Sequence, residues 1–119
     1  MPNDTLTMVN DRISELDGKV AQQRDKVYEA DISSKGAEYR KKVQENLAIF
    51  KGKVEQKLTD LTAKANAVVS TEELGNAELL KEAEYMREKA KLEKLIDERD
   101  TLKARENNLR QEYRQGYGQ

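Results

Sequence analysis

Apolar residues recur every three or four positions along most of this chain, with charged residues between them. Leu6, Val9, Ile13, Leu16 and Val20 open the series, Val43, Leu47, Phe50, Val54, Leu58 and Leu61 carry it through the middle, and Leu92, Leu95, Leu102 and Leu109 close it. Such spacing places the apolar side chains on one face of an α-helix. The stripe is narrow, so the helices must cover it with one another or with other chains. The pattern predicts an all-α fold, either an elongated antiparallel helical hairpin or a three-helix coiled-coil bundle, forming a single coiled-coil domain over 1–119.

The first predicted helix spans about 6–31, with Asn3 or Asp4 available to cap it. Its seam is Leu6, Val9, Ile13, Leu16, Val20, Gln23, Val27 and Ala30. Gln23 is a polar residue in an apolar seam, which lowers stability but can specify register. Ser33, Ser34 and Gly36 weaken helix propensity and suggest a kink over 32–37. A second count argues the opposite, because Ile13 to Val68 can be joined by unbroken steps averaging about 3.67 residues, as in an 11-residue repeat. Both readings stand at this level.

A further helix is expected over about 37–69. At 70–76, Ser70-Thr71-Glu72-Glu73-Leu74-Gly75-Asn76 gathers capping residues, a glycine and an asparagine, which predicts a reversal of the chain there. A third helix over about 77–115 and a flexible tail at 116–119 complete the reading. A corner at 70–76 would set residues 50–69 beside residues 77–96. Lys51, Lys53, Lys57 and Lys64 would then face Glu78, Glu82, Glu84 and Glu88.

Charge supports a folded-back arrangement. Of the 119 residues, 36% are apolar and 38% charged, yet the net charge is only −1. Regular spacing with so little net charge separates this chain from a disordered one. The charge is also segmented: residues 1–34 carry −3, residues 35–69 carry +4 and residues 70–119 carry −2. One proline and six glycines provide little of the turn punctuation of a β-sandwich or barrel.

Histidine and cysteine are both absent, which removes Ser-His and Cys-His nucleophile pairs and the usual zinc and iron ligand sets. Glu82, Glu84 and Glu88, or Glu93, Asp97, Glu98 and Asp100, could supply a carboxylate pair, but lysines and arginines interleave them as on a solvated helix face. The glycines are isolated, so no phosphate loop is formed. No catalytic residue, metal ligand or cofactor is expected, and the chain is not expected to be an enzyme.

Two basic patches invite a nucleic-acid reading: Arg40, Lys41, Lys42, Lys51, Lys53 and Lys57 beside Tyr39 and Phe50, and Lys103, Arg105, Arg110 and Arg114 beside Tyr113 and Tyr117. Interspersed acids and an isoelectric point near 5.7 argue against it. A membrane-surface helix over 37–69 would oppose Val43, Leu47, Ile49, Phe50 and Val54 to lysines, but it lacks tryptophan. Met1-Pro2-Asn3-Asp4 has neither the basic region nor the apolar core of a secretory signal, so a soluble chain is expected, cytoplasmic or held within a particle.

These features favour a non-enzymatic structural or assembly protein, such as a viral or secretion-type scaffolding component. Its partners would be proteins, either copies of itself or a larger complex. The expected interface comprises Leu6, Val9, Ile13, Leu16, Val20, Arg99, Leu102, Glu106, Leu109 and Tyr113. Arg99 and Glu106, if buried, would need charged partners or a wet edge. A small helical chaperone or adaptor that shields a partner helix is the alternative. A charged scaffold for nucleic acid or membrane is a weaker one.

Overall fold

The computed structural model describes residues 2–117, and side chains over 5–116. It is all-α. Three helices, α1 (Pro2–Val54), α2 (Asp60–Ser70) and α3 (Glu72–Tyr117), account for nearly all of the described residues, and none of these residues is in a strand. They divide into two compact units. Residues up to Val27 pair with residues from Glu88 onward, and Tyr28–Arg87 forms the other unit.

In the first unit, the start of α1 lies antiparallel to the end of α3. Val9 lines a groove with Leu102, Arg12 pairs with Glu98 at 2.9 Å and Gln23 hydrogen-bonds Glu88, so contacts descend α3 as they ascend α1, and the long Arg99 side chain also reaches Asp17 at 3.5 Å. Val9, Ile13, Leu16 and Val20 are buried in this seam, Leu16 completely. Leu92, Leu95, Ile96, Leu102 and Leu109 are the half-buried apolar positions of α3 in this unit. Fully burying a leucine or valine contributes about 1.5–3 kcal/mol each, so these four positions on α1 dominate the unit's stability.

The second unit is built differently. Its buried apolar positions are Ala37, Ala63 and Ala67, accompanied by the buried Gly52 and Thr71. A Cβ placed on Gly52 would sit 3.3 Å from the Ala63 Cβ and 3.4 Å from a Leu58 methyl, so α1 and α2 touch almost backbone to backbone. Farther along, Lys41 reaches across to Glu78 at 3.4 Å, and its side chain lies against Gly75. Small residues on both sides are what permit this approach.

The helix path decides between the two readings left open at 32–37 and departs from the expected boundaries at the chain reversal and at both ends. α1 runs through 32–37 without a break. Ala37 is buried and Ser33 and Ser34 are half-buried, so small residues here serve the seam, whereas a Cβ on Gly36 would meet only the Arg40 side chain of the same helix at 4.0 Å. A propensity cost of up to ~1 kcal/mol per residue is offset by tertiary packing.

The reversal lies at 55–59, not at 70–76. Lys57 takes a left-handed conformation with φ 54°, and the Leu58 amide donates to the Gly52 carbonyl at 3.0 Å. Thr59 then caps α2, its hydroxyl accepting from the Thr62 amide at 3.3 Å, and Lys53 pairs with Asp60 across the turn. The expected corner is reduced to one residue. Thr71 is buried, and both its hydroxyl and its amide donate to the Ala67 carbonyl while the Gly75 amide donates to the Thr71 carbonyl. The helical path therefore resumes at once in the same general direction.

Consequently residues 50–69 do not lie beside 77–96. Lys53 and Lys64 both pair with Asp60, and the cross-helix match to Glu78 is made by Lys41. At the ends, α1 begins at Pro2, ahead of the expected Asn3 or Asp4 cap. Of the expected tail, Gly116 and Tyr117 close α3, and residues 118–119 lie outside the described part.

Two substitutions test this turn. Lys57→Gly removes the left-handed penalty and should stabilise the protein by about 1 kcal/mol in chemical denaturation. Gly52→Leu should destabilise it by about 1–3 kcal/mol by overpacking the α1–α2 contact. An unchanged denaturation midpoint in Gly52→Leu would mean that the two helices are not in close contact.

Candidate interaction surfaces

Five of the ten side chains expected to face a partner line the α1 side of the first unit's seam. Val9, Ile13, Leu16 and Val20 are buried by the chain's own α3, and Leu6 is half-buried. Leu102, Leu109 and Tyr113 are half-buried on α3. Val9 and Leu102 meet in a shallow groove with Met8, Arg12 and Arg105. Much of the expected contact surface is thus consumed within the chain.

The charged pair on that stripe is also accommodated internally. The Arg99 side chain is 18% exposed and reaches Asp17 on α1 at 3.5 Å and Asp100 at 3.6 Å, although its Nε is buried without a hydrogen bond. Glu106 accepts from Arg110, one turn along α3, at 2.8 Å.

Gln23 is the polar centre of the seam. It is buried, and its Nε2 donates to the Glu88 main-chain carbonyl at 2.8 Å and to the Glu88 carboxylate at 2.6 Å. A two-pronged bond to one residue defines register more sharply than interchangeable leucines can. The bond from Gln23 is also the main reason that the Glu88 carboxyl lies below its ordinary range, with Lys91 adding to the effect and burial opposing it. Glu15 is lowered by Arg12 and then Lys19, and Asp60 by Lys53 and then Lys64.

None of these three carboxyls is raised, as a general acid would require. Among the described residues, no group of three or more acidic side chains is placed to hold a metal ion, and no helix is long and apolar enough to cross a membrane. In the two basic patches, Lys41 and Lys53 are engaged by Glu78 and Asp60, and Arg110 by Glu106.

The residues left unused are the large apolar ones of the second unit. Tyr39, Leu47, Phe50 and Val54 lie on α1, Leu61, Val68 and Val69 on α2, and Leu79, Leu80 and Met86 on α3, and every one is more than half exposed. The spacing 39, 43, 47, 50, 54 is a regular three-and-four-residue stripe on the side of α1 away from Ala37, Lys41, Ala48 and Gly52. Leu61, Ala65, Val68, Leu79, Ala83 and Met86 make a second stripe outside the Ala63–Ala67–Thr71–Glu78 seam.

The sequence showed the first of these stripes and, from Leu61 to Val68, the start of the second, but not their orientation. A wide apolar stripe and a narrow alanine and glycine stripe run along the same helix, and hydrophobicity alone ranks the wide one as core. Comparison with known proteins finds no match to any family model, curated protein or solved structure.

The Gln23–Glu88 bond generates a prediction with a defined sign. A carboxyl lowered in the folded state stabilises the protein above its unfolded pKa, about 4.3 for glutamate, and that contribution is lost as pH falls through the lower folded value. In Gln23→Ala the Glu88 carboxyl should therefore titrate at higher pH by NMR. The fall in denaturation midpoint between about pH 5 and pH 3 should also be shallower than in the unsubstituted chain.

Proposed function

We propose that this chain is a non-enzymatic structural or assembly protein that makes protein contacts through the outer apolar faces of residues 28–87. The observation that carries the reading is the inversion of the second unit: alanine, glycine and threonine form its internal seam, while Phe50, Leu61, Leu79 and Leu80 stand 64–81% exposed. Single exposed leucines are ordinary on protein surfaces, but regular stripes of large side chains on two faces are the pattern of interaction surfaces. Each such side chain would contribute about 1.5–3 kcal/mol if fully covered, far more than the small-residue seam gains from it now. The first unit, with its leucine and valine seam, supplies the stable part of the chain. Action in solution or inside a larger particle fits this role.

Replacing surface and core residues separates this role from a purely internal one. The variant Leu47→Gln, Phe50→Gln, Leu79→Gln, Leu80→Gln should keep the helical circular dichroism of the unsubstituted chain and a melting temperature within a few degrees of it. Leu16→Ala should lose about 2–5 kcal/mol. If the quadruple variant unfolds as readily as Leu16→Ala, the outer faces belong to the chain's own core and the proposal fails.

A further inference from the structure

The two outer faces of the second unit differ in charge. On α1, the stripe Tyr39, Val43, Leu47, Phe50 and Val54 is bordered by Arg40 and Lys51 along one edge and by Lys42 along the other, where Lys35 and Lys53 are already paired with Asp31 and Asp60, as helical spacing places them. The nearby acids Glu38 and Glu45 fall toward the internal seam, where Glu45 lines a groove with Gly75 and Asn76. On α2 and α3, the outer stripe is interrupted and flanked by the acids Glu72 and Glu73 and the base Arg87, while Glu84 pairs with Lys81 at 3.6 Å and Lys64, beside Leu61 and Val68, pairs with Asp60 at 3.0 Å. One face is apolar with a basic rim, and the other is apolar with an acidic patch.

This asymmetry decides which partner fits. Two copies meeting through the same α1 face would bring their lysine and arginine rims together, and two meeting through the α2–α3 face would oppose glutamates. Either two-fold arrangement sets like charges against each other, which disfavours it. The α1 face of one copy against the α2–α3 face of another matches apolar stripe to apolar stripe and basic rim to acidic patch.

We propose that a second copy of this chain is the occupant, bound front to back through unlike faces. The inference rests on the reading of these faces as contact surfaces and adds the partner and the pairing. A contact between unlike faces leaves one free face at each end, so it continues beyond a dimer into an open series or a ring. The α1 stripe from 39 to 54 is about 22 Å long on a helix about 10 Å wide. That area is smaller than the ~800 Å² per partner of a standard stable interface. The association is therefore weak and driven by concentration.

Two half-blocked chains test the pairing. The front variant carries Leu47→Gln and Phe50→Gln, the back variant carries Leu79→Gln and Leu80→Gln, and circular dichroism verifies that each is folded. In light scattering the unsubstituted chain should gain mass past a dimer as concentration rises. Each variant alone should remain monomeric, and an equimolar mixture should form a one-to-one dimer and stop there, because each keeps the face that the other lacks.

A monomer at the highest soluble concentration would overturn the second copy as partner, while the contact-surface reading would still stand or fall on the stability of the quadruple variant. A closed dimer that persists in either variant alone would overturn the pairing of unlike faces. Failure of the mixture to form the one-to-one dimer would overturn it as well.

Discussion

The close approach of α1 to α2 governs the second unit. At Gly52 and Ala63 there is room for hydrogen and methyl groups but not for a branched side chain, since even a Cβ on Gly52 would meet Ala63 at 3.3 Å. That spacing follows from the turn at 55–59, where Lys57 in a left-handed conformation and the Thr59 cap return the chain within five residues. A tight return leaves the emerging helix pressed against the one it came from. Alanine, glycine and threonine line the closest approach, with a Leu58 methyl against Gly52, and most of the large apolar side chains, Phe50 among them, stand on the outside.

The first unit meets the same requirement with different residues. Its seam holds Val9, Ile13, Leu16 and Val20, which bury enough surface to define a core, and their register is pinned by Gln23 on Glu88 and by the Arg12–Glu98 and Asp17–Arg99 pairs. Exposed ion pairs of this kind add little stability, typically about 0–1 kcal/mol, but they discriminate between registers. The buried Gln23 bond does so more strongly, because a shift of the helices would leave a desolvated amide without a partner. One chain thus combines a unit whose apolar residues face inward with a unit whose apolar residues face outward. That contrast is the physical basis for reading the second unit as a contact surface and the first as its support.

Legibility in the sequence varied along the chain for physical reasons. The helical character and the seam from Val9 through Gln23 were readable because large apolar residues were both periodic and buried, so pattern and core coincided. The Ser70–Asn76 segment misled because serine, threonine and glycine serve equally as caps and as small packing residues. Buried Thr71 bonds back to Ala67 instead of ending the helix against solvent. Nothing at 55–59 announced a turn: it holds neither glycine nor proline, and a lysine occupies the left-handed position. Thr59 followed by Asp60 was the one usable cue, a cap residue with an acid in the first helical turn.

By itself the sequence determined the class of fold, the position of a polar residue within an apolar seam, and a residue inventory without histidine or cysteine. These depend on local spacing and composition, which are fully written in the chain. Which stripe faces inward was decided only by tertiary structure, because two stripes at the same helical period share α1 and nothing local ranks the small-residue one as core. The ranking came from the distance between helices, which a turn of five residues imposes and which no window of sequence contains.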